Sequence, residues 1–274
     1  KELEFSGLLK KIGSNESINI ESVKREKSYS NLITIDQLTS FVSSVKENEW
    51  LSVDLETTSI NPMVAEIVGF SFSMKKDTGV YVPIRFKDKK DNLFGDDDLQ
   101  AAIDILKPIL ENPDIPKTGQ NIKYDALIMK RYGINLDGIA FDTMIAAHLI
   151  SPNARSYKLD NLSISHLNYK MVPIKDLIGS GKNQITMDQV TLEDISFYAA
   201  EDADVVIELT EIFLKELKTK KLYNYFMAIE IDLLPVLIDM QFNGIFVDNL
   251  PTQALHDAHQ AGWHHDVTSL QCRD

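Results

Sequence analysis

The sequence predicts an α/β fold in which α-helices flank one central, mixed β-sheet. Strand-like segments lie close together between residues 50 and 84, and amphipathic helical segments dominate from residue 95 onward. The chain has 274 residues, of which 44% are hydrophobic and 25% charged, so it can bury a sizeable core. This length suits one large domain or two small ones.

The strands are predicted in the first third of the chain. Residues 1 to 30 are polar after a short amphipathic start, which indicates a helical turn and then a linker. A short strand and an amphipathic helix follow, and the helix is indicated by Leu38, Phe41, Val42 and Val45. Three strands come next, "WLSVDLET", "IVGFSFSM" and "GVYVPI", and the turn-rich segments between them predict hairpin or meander turns.

Helices are predicted for most of the remaining chain. "GDDDLQAAIDILKPILEN" is typical of a helix with an acidic first turn, and we interpret its aspartate run as capping plus solvation. A short strand precedes a helix that starts near Asn121, and "FDTMIAAHLI" and "KLDNLSISHL" predict two more helical pieces. After a loop-rich region at 170–190, Thr191 opens a long helix. Asn243-Gly244 closes the last helix, before a short extended piece.

Composition limits the function classes. Lysine and arginine number 28 against 41 aspartates and glutamates, a net charge of −13, so the surface repels phosphate backbones unless cations intervene. The only cysteine, Cys272, excludes a disulfide framework and a thiolate zinc site. No stretch approaches the ~20 apolar residues of a membrane span, and no basic-then-apolar leader is present. We therefore expect a cytoplasmic protein that does not contact membranes.

Four acids occur in apolar surroundings at the ends of predicted elements. Asp54 and Glu56 end the first of the three strands, and alternation places both side chains on one face. Asp125 lies in a largely apolar helix, and Asp202 follows Tyr198 by one helical turn. Buried carboxylates persist when they pair with cations, and four converging acids would suit Mg²⁺ or Mn²⁺.

Each of these residues also has a purely structural interpretation. Asp54 could cap a strand end, and Tyr198 could be a core aromatic residue. Asp125 could pair with one of three basic neighbours, Lys123, Lys130 or Arg131. Asp202 stands beside two further acids, Glu201 and Asp204, any of which could be solvated.

Three short motifs, "VDLETT", "GQNIKYD" and "YAAEDADV", resemble the exonuclease motifs of the DEDDy superfamily of 3′–5′ exonucleases. Longer segments, among them "FDTMIAAHLISPNARSYKLDNLS" and "GKNQITMDQV", resemble the proofreading domain of bacterial DNA polymerase I, a family A polymerase. The resemblance covers residues 1 to 248 and implies a ribonuclease H-like fold. Palm and fingers motifs of the polymerase are absent, so we expect no nucleotide polymerisation from this chain.

The resemblance also implies roles for individual residues. Asp54, Glu56 and Asp202 would hold a first divalent ion, and Asp54 would bridge to a second ion supported by Asp125. Mg²⁺ or Mn²⁺ is expected, with Zn²⁺ as an alternative at one of the two positions. Tyr198, with Glu56, would orient the attacking water.

Substrate contacts are implied at further positions, namely Thr57, Ile60, Gln120, Asn121, Ile174, Lys182 and Gln184. Ile60 and Ile174 match apolar wedges against the terminal bases, although ordinary core packing would also explain isoleucines. Lys182 and Gln184 match backbone contacts, and a flexible polar loop is the alternative for them.

The implied partners are DNA with a single-stranded 3′ end and a polymerase domain in cis, and we expect a monomer. The resemblance divides the chain into four segments. Residues 1–30 are a linker from a preceding domain, 31–220 the exonuclease domain, and 221–248 the start of the polymerase segment, including a helix that leads toward a polymerase domain missing from this chain. The tail, 249–274, is atypical and is predicted to be disordered or non-native.

Three other functions remain open from the sequence. A ribonuclease D-like 3′–5′ exoribonuclease would use the same four acids and tyrosine. A catalytically silent module would keep the fold without the chemistry, although all four acids are present here. The tail holds four of the six histidines in "HDAHQAGWHH", which could bind zinc or nickel but is more simply incidental.

Overall fold

A six-stranded mixed β-sheet forms the centre of the computed structural model, which describes residues 26–245. Its strands are β1 (Ser28–Asn31), β2 (Leu51–Thr57), β3 (Ile67–Ser73), β4 (Thr78–Pro83), β5 (Lys117–Gly119) and β6 (Ile139–Asp142). Their order across the sheet is β1-β4-β3-β2-β5-β6. The β2–β3 and β3–β4 pairs are antiparallel, and the other three pairs are parallel. The predicted mixed sheet with two hairpins is therefore confirmed.

Helices cover both faces of this sheet. They are α1 (Ile35–Ser44), α2 (Asp98–Leu110), α3 (Ile122–Arg131), α4 (Thr143–Ile150), α5 (Leu159–Leu162), α6 (Ile174–Ile178), α7 (Leu192–Thr219), α8 (Tyr223–Tyr225) and α9 (Asp232–Asn243). Short π-helical segments, Ser163–Leu167 and Phe226–Ile231, continue α5 and α8. As predicted, Thr191 caps α7 by accepting a hydrogen bond from the Asp194 N–H, and α9 ends before Gly244.

The two faces of the central strands differ in character. Val53 and Leu55 of β2, with Phe70 and Phe72 of β3, point into a core shared with α1 and α2. On the other face, small residues let α7 approach the sheet closely. A Cβ atom on Gly79 would lie 2.6 Å from the main-chain oxygen of Ala200 in α7, so only glycine fits at this position. This small-residue face, beneath α7, is where the predicted acids lie.

Some elements differ from their predicted positions. β1 ends at Asn31, so three of its residues fall on the linker side of the predicted boundary at 30, and α1 ends before Val45. β6 was not predicted, because four residues are too few for alternation to reveal a strand. The predicted linker before residue 26, the extended piece after Gly244 and the histidine-containing tail lie outside the described residues.

The interpretation of the aspartate run before α2 as capping plus solvation is wrong for one of its residues. Asp97 caps the helix by accepting hydrogen bonds from the N–H groups of Leu99 and Gln100, as expected. Asp98, however, is buried rather than solvated: it accepts the N–H groups of Leu93 and Phe94 and pairs with Lys89.

Among residues 26–245, no helix is both long enough and apolar enough to cross a membrane.

Candidate metal centre

Three carboxylates from two elements converge on the α7 side of the sheet. Asp54 and Glu56 point to that side because they alternate with the core residues of β2. Asp202 reaches them from α7, and ligand oxygens of the three side chains all lie within 4.8 Å of one another. Glu56 is only 6% exposed, and the other two are partly buried. This group has the donor atoms and spacing that a hard divalent cation requires.

Asp125, the fourth predicted acid, lies beside this group but is not one of the three. It is 2% exposed, and its Oδ1 accepts a hydrogen bond from the Leu55 N–H at 3.2 Å. The three basic neighbours considered as partners bond elsewhere: Lys123 to Gln241, Lys130 to Asp239, and Arg131 to the carbonyls of Pro62 and Ala65. Salt-bridge pairing of Asp125 is therefore the wrong interpretation.

The electrostatics of the four acids favour a bound cation. Burial raises the pKa of Asp54 to about 7. Burial, followed by the charges of Asp54 and Asp125, raises the pKa of Glu56 well above its usual range. Burial, and then the charges of Asp54 and Glu56, raise the pKa of Asp202 well above its usual range. Because burial and the neighbouring carboxylates oppose ionisation of Glu56 and Asp202, a divalent ion between these acids would relieve the cost of ionisation.

Tyr198 stands one turn before Asp202 on α7, so the two side chains share one face of the helix. Burial, and then the charges of Asp202 and Glu56, hold the pKa of the phenol far above its usual range. The hydroxyl is therefore a permanent hydrogen-bond donor at the edge of the carboxylate group. Tyr198 also packs against a buried hydrophobic cluster, so the core-aromatic interpretation is correct for part of its side chain.

A cleft of about 820 Å³ opens over the carboxylates. Nine of the predicted residues line it: Asp54, Glu56, Thr57, Ile60, Asn121, Ile174, Gln184, Tyr198 and Asp202. Ile60 is 97% exposed and Ile174 is 49% exposed, so the core-packing interpretation is wrong for both. Asn121 adopts a left-handed conformation (φ 58°) at the start of α3, and its side chain makes no capping hydrogen bond.

Two predicted substrate contacts are not brought to this cleft. Gln120 is engaged by the protein at both ends of its amide: it donates to the Tyr157 carbonyl at 2.7 Å and accepts from the Thr143 hydroxyl at 2.5 Å. Lys182 is exposed in a 3₁₀ turn, whose neighbours Gly181 and Gln184 line the cleft although Lys182 itself does not.

Tyr124 is a cleft residue that the sequence analysis missed. Its hydroxyl lies 2.6 Å from the Thr57 Oγ1 and also donates to the Ser59 carbonyl, so it fixes the turn that follows β2. The signal was present, because Tyr124 directly precedes Asp125 in "NIKYD". Nothing in the spacing, however, showed that an aromatic residue there faces the strand end.

The acids next to Asp202 are structural. Glu201 accepts hydrogen bonds from the Tyr169 hydroxyl and the Val172 N–H, so the solvated interpretation is wrong for it. Asp204 is fully buried and accepts from Lys27 and Tyr29. Oxygens of Asp77, Asp204 and Glu208 also lie within 4.8 Å of one another, but the ammonium group of Lys27 fills the position that a cation would take.

Solved structures of low sequence identity share this fold. Escherichia coli ribonuclease D, described as an exoribonuclease involved in structured RNA processing, is 16% identical, covers 85% of this chain and 55% of its own, and has a TM-score of 0.59. The polymerase domain of Pol1 from M. smegmatis, solved with a DNA primer-template and dNTP, is 19% identical with a TM-score of 0.63, over 85% of this chain and 35% of its own. The fold is that of the ribonuclease H-like exonucleases.

The sequence comparisons narrow this class. A family model described as a 3′–5′ exonuclease matches residues 29–218. DNA polymerase I of Pseudomonas aeruginosa is 32% identical over 260 residues, which cover 90% of this chain and 28% of that protein. The chain belongs to the 3′–5′ exonuclease family of bacterial DNA polymerase I, a family whose chemistry implies divalent metal ions. It spans about a quarter of the length of the curated relatives that it matches.

Proposed function

We propose that this chain is a proofreading module that hydrolyses the terminal phosphodiester bond at the 3′ end of single-stranded or frayed DNA. The observation that carries this proposal is the group of Asp54, Glu56 and Asp202 in an open cleft beside the protonated hydroxyl of Tyr198. The product is a 5′-mononucleotide. The parent protein is a cytoplasmic DNA polymerase I.

The donor set fits two divalent ions of the oxygen-preferring kind, Mg²⁺ or Mn²⁺, with Zn²⁺ as an alternative at one position. Asp54, Glu56 and Asp202 would hold the first ion, and Asp54, with Asp125 in support, would face the second. When bound, such ions lower the pKa of a water molecule and neutralise charge on the scissile phosphate and the leaving oxygen. The chain itself supplies the carboxylate positions, fixed by β2 and α7.

Tyr198 and Glu56 orient the attacking water. The phenol keeps its proton because burial and neighbouring charges raise its pKa, so it donates a hydrogen bond rather than acting as a base. A carboxylate has two oxygens, so Glu56 could hold an ion through one and accept a hydrogen bond from water through the other. This pair would hold the water in line with the terminal phosphodiester bond.

The cleft suits a few unpaired nucleotides. Ile60 and Ile174 present apolar side chains that pack against any base, as a proofreading enzyme requires. Polar groups of Thr57, Asn121 and Gln184 line the same cleft and can meet the 3′ hydroxyl and the phosphates. The mixture of sequence-tolerant apolar contacts and polar backbone contacts supports a single-stranded substrate.

The exposed surface of α9 and of the π-helical turn before it supports the proposal that a polymerase domain lies in the same polypeptide. Exposed apolar residues recur there at helical spacing: Ile229, Leu233, Val236, Leu237 and Met240. The opposite side of α9 packs on α3 through Ile238 and Phe242, whereas this exposed side is not covered by other residues of 26–245 and could contact a polymerase domain. With a net charge of −13, the chain alone would bind DNA weakly, and the polymerase domain would supply much of the affinity.

The decisive experiment follows 3′-labelled single-stranded DNA and a matched RNA in the presence of Mg²⁺. The wild-type chain should release labelled mononucleotide from DNA, and chelator or Asp54→Ala should abolish the release. Glu211→Gln, an exposed acid on α7, is the matched control and should leave the rate unchanged. Activity that persists in Asp54→Ala would refute the mechanism, and preferential degradation of RNA would favour a ribonuclease D-like function instead.

The supporting role of the polymerase domain has its own test. A primed duplex should bind a longer chain that includes the polymerase domain more tightly than it binds this chain at the same salt concentration. Equal affinity would contradict that role and leave the exonuclease proposal standing.

A further inference from the structure

Tyr81 of β4 faces the same side of the sheet as the metal-centre carboxylates. In the antiparallel ladder Asp54 lies opposite Ser71, and Ser71 lies opposite Tyr81. Side chains of directly opposed residues point to the same face, so these three form a row across β2, β3 and β4. Tyr81 belongs to the same buried hydrophobic cluster as Ala199 of α7, which is next to Tyr198 in the chain.

The hydroxyl of Tyr81 has no evident structural role. The side chain is fully buried, and its Oη has no hydrogen-bond partner among residues 26–245. Buried polar atoms in native proteins nearly always have a partner. The Tyr29 hydroxyl shows the usual situation, since it donates to Asp204 at 2.7 Å. The unpaired hydroxyl of Tyr81 therefore indicates a partner that is engaged in another state of the site.

The path of the Tyr81 ring identifies that partner. A Cβ atom on Gly69 would lie 2.3 Å from the Tyr81 Oη, so the phenol passes directly over this glycine. Gly69 is the residue opposite Glu56 in the β2–β3 ladder. Among the charged groups, Glu56 and then Asp54 follow burial as causes that raise the pKa of Tyr81, which places its hydroxyl in the field of these acids. A protonated phenol in that field is a hydrogen-bond donor.

We infer that Tyr81 is a positioning residue whose hydroxyl donates a hydrogen bond to the Glu56 carboxylate when the metal centre is loaded. Metal-ligating carboxylates are commonly oriented by a hydrogen-bond donor behind them, and loss of that donor weakens metal binding. Gly69 is required for this arrangement, because the side chain of any larger residue would displace the phenol of Tyr81. This inference rests on the proposed metal centre and adds a residue that touches neither substrate nor metal.

Titration of the DNA-free chain with Mn²⁺, followed by calorimetry, tests the inference on Tyr81→Phe. We expect the Mn²⁺ affinity to fall by about 10-fold, while the metal-free thermal midpoint stays the same or rises, because no existing hydrogen bond is lost. Tyr29→Phe is the matched control: it removes a hydroxyl bonded to Asp204, so it should lower the thermal midpoint and leave Mn²⁺ affinity unchanged.

Gly69→Ala provides a second variant. Its Cβ must displace the phenol, so it should weaken Mn²⁺ binding in the same direction. Wild-type Mn²⁺ affinity in Tyr81→Phe would overturn the inference. A wild-type chain that binds Mn²⁺ without releasing 3′ nucleotides would refute only the proposed function, and a wild-type chain that binds no Mn²⁺ would overturn both.

Discussion

The carboxylate of Asp125 on α3 accepts a hydrogen bond from the main-chain N–H of Leu55 at 3.2 Å. Leu55 is the residue between Asp54 and Glu56, so this bond ties α3 to β2 within the metal centre. It holds a fourth carboxyl group beside the other three acids. The charge and the hydrogen bond of Asp125 can therefore be separated by mutation.

Asp125→Asn keeps an acceptor for the Leu55 N–H, whereas Asp125→Ala does not. We expect Asp125→Asn to retain the thermal stability of the metal-free chain and to lower the exonuclease rate about 10- to 100-fold. Asp125→Ala should lose activity too, and its free energy of unfolding should fall by about 1–3 kcal/mol because a buried N–H is left unpaired. Urea denaturation with chelator present measures the difference, and equal stabilities for the two variants would contradict it.

Tyr198→Phe removes the hydroxyl that orients the water but no metal ligand. We expect kcat on 3′-labelled single-stranded DNA to fall about 100-fold, with Mn²⁺ affinity unchanged. Single-turnover kinetics and calorimetry measure the two quantities. Phe197→Leu, on an exposed neighbour, serves as the control and should keep the wild-type rate. A Tyr198→Phe variant that cleaves at the wild-type rate would remove Tyr198 from the mechanism.

Stability without metal should depend on the protonation of Asp54. Its folded-state pKa of about 7 exceeds its ordinary value of 3.8, so the folded chain holds a proton that the unfolded chain has released between these values. The associated stability is present below about pH 4 and is lost as pH rises through 7. Asp54→Asn should therefore gain thermal stability relative to wild type between pH 5 and pH 8, with chelator present. A difference that does not change with pH would refute this assignment.

The exposed isoleucines of the cleft should matter for substrate binding and not for folding. Ile60→Ser and Ile174→Ser should each raise the KM for single-stranded DNA about 10-fold, the range expected from loss of one apolar contact with a base. Their thermal midpoints should match wild type. Val64→Ser is the matched control, because Val64 is 61% exposed in the loop that carries Ile60 but does not line the cleft. Equal KM values for Ile60→Ser and Val64→Ser would exclude Ile60 from the binding surface.

Lys27 should stabilise the fold much more than a surface lysine does. Its ammonium lies 2.5 Å from the buried Asp204 and 2.9 Å from Asp77, which fastens the segment before β1 to α7. Lys27→Met leaves buried carboxylates unpaired and should lower the free energy of unfolding by about 3 kcal/mol. Lys46→Met, which removes an exposed ion pair with Glu49, should cost less than about 1 kcal/mol. Chemical denaturation measures both, and similar losses would contradict the structural role of this cluster.

The sequence alone determined the α/β class, the hairpins and the candidate acids. Alternation along β2 places Asp54 and Glu56 on one face, and helical periodicity places Tyr198 and Asp202 on another. These relationships depend only on local geometry, so spacing predicts them. The same local rules recognised Asn121 and Thr191 as helix starts.

Contacts between distant segments were decided only by the tertiary structure. Spacing could not show that Asp125 bonds to Leu55, that Gln120 is used internally, or that Lys27 pairs with Asp204. The position of the Tyr81 hydroxyl could not be predicted from the sequence either, because it depends on three adjacent strands and on the absence of a Cβ at Gly69. Local geometry repeats along the chain, whereas the partner of a buried polar group depends on how the whole chain packs.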